Sequence, residues 1–132
     1  MKAVAAREGR IFITELETPE PAPGHVLLRT EYSAVSPGTE LSMTASSGEH
    51  PVILGYSAVG IVERIGPGVE GIVPGDRLAC YGAPYVRHAE RLAVPVNLTA
   101  KVPEHVDPRE AAFAGLGAIA IHALRTAELR FG

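Results

Sequence analysis

Apolar residues along this chain come in short runs separated by turns until the last quarter, where the apolar pattern lengthens. Ala58 to Ile65, AVGIVERI, is nearly unbroken and rich in β-branched residues; it is too short for a helix that buries itself and predicts a core strand. Gly66-Pro67-Gly68 turns the chain, and Gly75-Asp76-Arg77 turns it again into LACY, a second short strand. Upstream, Lys2 to Ala6 and Arg10 to Leu16 predict a hairpin around Glu8-Gly9. Glu17 to Gly24 carries three prolines, none of which can donate to a sheet ladder, so it reads as an extended connection. From Val26 to Ser33 the side chains of Val26, Leu28, Thr30 and Tyr32 share one face and those of Leu27, Arg29, Glu31 and Ser33 the other, a half-buried strand. It leads into Ser36-Pro37-Gly38-Thr39-Glu40, which Pro and Gly would make a turn unaided. Residues 41–51 read as a loop or a frayed helix, and Tyr85 to Val96 returns to strand character.

The end of the chain obeys a different period. Asp107-Pro108-Arg109-Glu110 predicts a helix start, with Asp as N-cap, Pro at the first helical position and Glu completing a capping box. Ala111 to Leu124 then follows, apolar on nearly every side, with Gly115 and Gly117 expected to divide it into two helices. A helix apolar all round must be covered on all sides, which is more than a small β domain can do. The expectation is therefore that these residues are part of something larger.

Composition narrows the function classes. The 132 residues suffice for one domain, and 46% hydrophobic residues are ordinary for a globular protein. A net charge of −3 gives no electrostatic reason to expect nucleic acid or an anionic membrane as partner. Three Phe, four Tyr and no Trp also argue against a base-stacking surface. With 14 Gly and 11 Pro, turns are many, as in a domain of short strands. A single cysteine makes no internal disulfide, and no signal-peptide pattern opens the chain, so a cytoplasmic setting is expected.

Gly66, Gly68 and Gly71 satisfy the G-x-G-x-x-G pattern of a dinucleotide-binding loop, which works by aiming backbone N–H groups at a pyrophosphate from the start of a helix. Pro67 has no N–H, Glu70 would repel phosphate, and Pro74-Gly75 forbids the following helix, so a plain turn is expected. Cys80, within LACY, reads as a small core residue with no cationic neighbour to lower its pKa. His25, His50, His88 and His105 lie in polar or turn contexts and are expected to be exposed; His122, alone on the apolar helix, reads as a hydrogen-bonded packing residue.

The stretch LGYSAVGIVERIGPGVEGIVPGDR, Leu54 to Arg77, resembles the signature of medium-chain dehydrogenases of the zinc alcohol dehydrogenase type. Gly55, Gly60, Gly66 and Val69 hold its spacing, and Gly75-Asp76-Arg77 matches the family's later turn. The resemblance implies a mainly β fold: a GroES-like, partly open β-barrel with C-terminal helices, residues 1–132 forming the catalytic domain. It implies further that 108–132 is a helical linker toward an absent Rossmann cofactor domain, whose first strand would begin near Arg130-Phe131-Gly132. NAD or NADP would be bound mainly by that missing domain, with nicotinamide-side contacts from Ser36 and Leu116.

In the resembling zinc members a Cys, a His and a second Cys hold the catalytic metal. The corresponding positions here are Ser36, Tyr56 and Leu116, and the four cysteines of the structural zinc are absent, so no zinc is expected. The implied site residues are Ser36, Thr39, Glu40 and Tyr56: Glu40 or Ser36 would hydrogen-bond Tyr56, and Tyr56 with Ser36 would polarise a substrate carbonyl. Ser-Pro-Gly-Thr-Glu, Gly-Tyr-Ser and the closing Thr-Ala-Glu-Leu-Arg-Phe-Gly look most like a zinc-lacking branch that includes bacteriochlorophyllide-dehydrogenase-like and threonine-dehydrogenase-like proteins. The implied function is the substrate-binding part of an NAD(P)-dependent, zinc-independent oxidoreductase, inactive alone, with its own Rossmann domain, a small-molecule substrate and a second copy of the chain as partners. A metal-free quinone-reductase-like member and a non-enzymatic GroES-like co-chaperonin or assembly module are the alternatives. The apolar stretch Ala111 to Leu124 weighs against the module, because a self-contained ring-forming barrel has no need of it.

Overall fold

The structure, a computed structural model, describes residues 1–128. Its first strands are β1 (Lys2–Arg7) and β2 (Arg10–Glu15), paired antiparallel about Glu8 and Gly9, both at positive φ as a tight hairpin turn demands. β1 also pairs with β4 (Val52–Ile53), a two-residue strand that the sequence pattern does not announce. The larger sheet runs β7–β3–β5–β6–β8, built from β3 (His25–Ser33), β5 (Ser57–Ile65), β6 (Arg77–Tyr81), β7 (Arg91–Pro95) and β8 (Thr99–Lys101). The mainly β, partly open barrel with helices at its end is the fold expected.

Residues 86–90 sew the two sheets together. Val4 N–H donates to the His88 carbonyl, Glu90 N–H to Lys2, His88 N–H to Leu54 and Thr30 N–H to Glu90, each at 2.8–3.1 Å. This is why Tyr85 to Val96 is not one strand: its first half spans between sheets instead of lying in either, and only Arg91–Pro95 joins a ladder. The main core gathers Val26, Leu28, Ala58, Val62, Leu78, Val86 and Val94. β3 is not half-buried at its start. Val26, Leu27 and Leu28 are all buried, and register irregularities after Leu27 and between Thr30 and Tyr32 break the simple alternation.

The Gly66–Gly71 segment is the plain turn expected; Gly66 sits so close to the Ala22 carbonyl that a Cβ there would lie 2.1 Å from its oxygen. Two other expectations fail. Residues 37–45 are a helix, α1 (Pro37–Ala45), where a turn over Ser36–Glu40 and then a loop or frayed helix were expected; the helix begins within the expected turn, because Pro37 starts it at its fixed φ and Glu40 stabilises the first turn. In the last quarter α2 (Pro108–Ala111) and α3 (Ala114–Thr126) separate at Ala112–Phe113, before both glycines.

Asp107 caps α2 as expected, accepting from Arg109 N–H at 2.8 Å; the partner that completes the arrangement is the Arg109 guanidinium and not Glu110. α3 has no buried residue, and Phe113, Ile119 and Ile121 are each at least half exposed. His122 is exposed on it and is not a packing residue, because that face of α3 has nothing against it among the described residues. No helix of the described residues is long and apolar enough to cross a membrane.

Candidate functional site

α1 presents two faces with different work. Glu40 and Thr44, one turn apart, point into the protein and are buried, whereas Thr39 and Met43 line a cleft. The opposite wall of that cleft is Tyr56, Tyr81, Gly82 and Ala83, with Ile119 of α3 at its edge, enclosing about 440 Å³. Tyr56 meets Tyr81 edge to face with ring centroids 5.5 Å apart. Tyr81 in turn lies close enough to α3 that a Cβ at Gly115 would fall 2.0 Å from its ring, so Gly115 is what lets the helix approach.

Behind α1 is a buried polar network that sequence reasoning missed. His88, expected on the surface, is 8% exposed. Its Nε2 lies 2.7 Å from Glu40 Oε2 and its Nδ1 2.8 Å from Ser33 Oγ. A carboxylate only accepts, so Nε2 carries a hydrogen and donates it to Glu40, while Nδ1 is paired with the Ser33 hydroxyl. The other Glu40 oxygen accepts the Ser36 N–H at 2.8 Å. That bond closes the start of α1 in the manner of a capping box, one residue later than the usual spacing. Gly55, known from the sequence only as a position of the signature, is where the backbone makes room for His88: at a φ of +98, a Cβ there would come within 2.4 Å of the His88 nitrogen, an approach reserved for glycine.

The expected site residues are thus only partly assembled. Thr39 and Tyr56 share the cleft; Ser36 is the half-buried N-cap of α1; Leu116 is half-buried on α3, beside Gly115. Glu40 turns away toward His88, and among the described residues no hydrogen bond joins Tyr56 to Glu40 or Ser36. Ser57, next to Tyr56, donates to the Ala112 carbonyl at 2.6 Å and fastens the start of β5 to the end of α2. Cys80 is buried, and burial pushes its thiol up to about 12, the reverse of a reactive cysteine.

The model of the alcohol dehydrogenase GroES-like domain matches residues 22–127. The chain belongs to that family. It lies within the medium-chain dehydrogenase/reductase superfamily. A trans-enoyl reductase of Aspergillus sclerotiorum is 32% identical to this GroES-like domain over 110 residues, which cover 74% of this chain and 29% of that protein. The class-2 alcohol dehydrogenase isozyme 2 of Oryctolagus cuniculus is also 32% identical over 110 residues, covering 80% of this chain and 29% of that one. A mycobacterial protein solved in complex with NADPH superposes with a TM-score of 0.76 at 29% identity, covering 94% of this chain and 40% of its own. The GroES-like domain described here therefore spans about a third of the length of the curated relatives it matches, 29–34%.

Proposed function

We propose that this GroES-like domain is the substrate-binding part of an NAD(P)-dependent oxidoreductase that works without zinc on a small alcohol, carbonyl or related substrate. The observation that carries the reading is the cleft itself: a phenol, Tyr56, and a hydroxyl, Thr39, face one space whose remaining walls, Met43, Tyr81 and Ile119, are largely apolar. In such a space the Tyr56 hydroxyl donates to a substrate carbonyl oxygen and stabilises the negative charge that grows on it, while Thr39 orients the same oxygen. Glu40 acts at one remove, holding the first turn of α1 and so the place of Thr39.

The positions that would hold zinc offer Ser36 and Tyr56 hydroxyls and the Leu116 alkyl chain, and among the described residues no three His, Cys, Asp or Glu side chains gather to hold a metal. A tetrahedral zinc site asks for thiolate and imidazole donors, which this set does not fit.

When bound, NADH or NADPH supplies the hydride. The Gly66–Gly71 turn lacks the following helix that cradles a pyrophosphate, so the proposal assigns the dinucleotide to a Rossmann domain reached through 108–132, of which residues 129–132 lie outside the described ones. Ser36 and Leu116 are the residues assigned to the nicotinamide side. The exposed Phe113 and Ile121 support cover by such a domain, and the single buried thiol fits a cytoplasmic setting. Tyr56→Phe in the full-length protein tests the reading: turnover is expected to fall roughly 10²-fold, the scale of losing one donor to a developing oxyanion. Unchanged turnover removes Tyr56 from the chemistry.

A further inference from the structure

His88 is joined to both walls of the cleft, although it lines neither. Toward α1, its Nε2 holds Glu40, the residue that follows Thr39. Toward the tyrosine wall, its backbone N–H donates to the Leu54 carbonyl at 2.8 Å, two residues before Tyr56, and Gly55 between them is packed directly on the His88 backbone. The same wall is continued by Gly82 N–H to the Tyr56 carbonyl, at 2.8 Å, and by Val86 N–H to the Gly82 carbonyl, at 2.9 Å, which leads back along the chain to His88. Ser33 takes the remaining ring nitrogen, so the imidazole has no free hydrogen-bonding edge about which to turn.

We propose that His88 is a positioning residue that sets the separation of Thr39 from Tyr56. The physical argument is one of stiffness. A buried imidazole with both nitrogens and its backbone N–H engaged fixes the two segments to a common point, and reorienting it would break a charge-assisted bond between two side chains packed away from bulk solvent. α1 has few other ties near its start: Pro37 contributes no N–H, Gly38 has no side chain, and Thr39 is exposed. With the His88–Glu40 bond gone, the first turn of α1 is free to shift relative to β5. Such a shift moves two hydroxyls that must converge on one atom, and an error of about 1 Å there costs on the order of 10²-fold in rate.

The kinetic part of the test rests on the reading that the cleft binds substrate; the spectroscopic part does not. In the full-length protein, labelled at tyrosine and phenylalanine, His88→Ala is expected to shift the ring resonances of Tyr56 and Tyr81 without ligand, while Phe12 on the hairpin stays in place. His88→Gln retains a donor where Nε2 was, and is expected to restore most of both resonances. In turnover, His88→Ala is expected to lower kcat more than it raises KM, with His88→Gln between it and the wild type. Unmoved Tyr56 and Tyr81 resonances in a folded His88→Ala protein overturn the proposal, as does a His88→Gln protein no closer to the wild type than His88→Ala. Should His88→Ala fail to fold, Glu40→Gln against wild type decides the same question by the same resonances. If Tyr56→Phe leaves turnover intact while the resonances still move, the assigned chemistry fails and the coupling of the walls stands.

Discussion

The Glu40 carboxylate accepts a hydrogen bond of 2.7 Å from His88, 48 residues later in the chain, and both side chains are more than nine-tenths buried. Deleting either member leaves the other without its partner, but the two losses are unequal. In His88→Ala a carboxylate stays buried with the Ser36 N–H as its one described partner, which should cost about 3–5 kcal/mol. In Glu40→Ala what remains is an imidazole still bonded to Ser33, with no carboxylate left buried, and the expected cost is about 1–3 kcal/mol. Urea unfolding of both variants checks the order; the reverse order would mean that the network's charge lies elsewhere.

Two glycines of α3 should respond to alanine with opposite signs. Gly117 has nothing within 4 Å of its missing Cβ, so Gly117→Ala should stabilise by up to about 1 kcal/mol through helix propensity. At Gly115 the same gain is outweighed, because the new methyl would sit 2.0 Å from the Tyr81 ring; a net loss of about 1–3 kcal/mol is expected. Since Tyr81 also meets Tyr56 edge to face, Gly115→Ala should disturb the cleft as well. Thermal unfolding midpoints of the two single variants settle the sign.

Cys80 should resist alkylation in the folded protein and react on unfolding. Burial raises its thiol from 9.0 to about 12. A pKa raised in the folded state means that the contribution to stability is complete below the unfolded value, then falls as pH rises from about 9 toward 12. Iodoacetamide labelling across a urea series at pH 8 should follow the unfolding curve. Labelling ahead of that curve would show that the strand opens locally.

Asp107 should titrate far below an ordinary aspartate. The Arg109 guanidinium, then the Arg109 backbone N–H, hold its carboxyl down to about 2. Depression in the folded state places its contribution above the unfolded value, near 3.8, and removes it as pH falls through about 2. A carboxyl NMR titration should find the low value in the wild type and a higher one in Arg109→Ala, still below normal because the backbone N–H of residue 109 remains. A normal value in both would dissolve the cap.

What the sequence determined by itself were the features that neighbouring residues decide among themselves. The Glu8-Gly9 hairpin, the strand from Ala58 to Ile65, the Asp107-Pro108 helix start and the failure of the Gly66–Gly71 turn as a phosphate loop follow from local backbone chemistry and period, and the structure agrees with each. The uncovered apolar α3 was legible too, as more greasy surface than a small barrel can hide. Tertiary structure alone decided where Glu40, His88 and Ser33 meet, since nothing local to a histidine in a polar stretch shows that two sheets will close over it. It also decided which face of α1 serves the cleft: burial of Glu40 against a residue 48 positions away turned Thr39 toward Tyr56. The reason is physical, because the worth of a hydrogen bond to a carboxylate depends on who excludes the water around it, and that is settled only when distant strands pack.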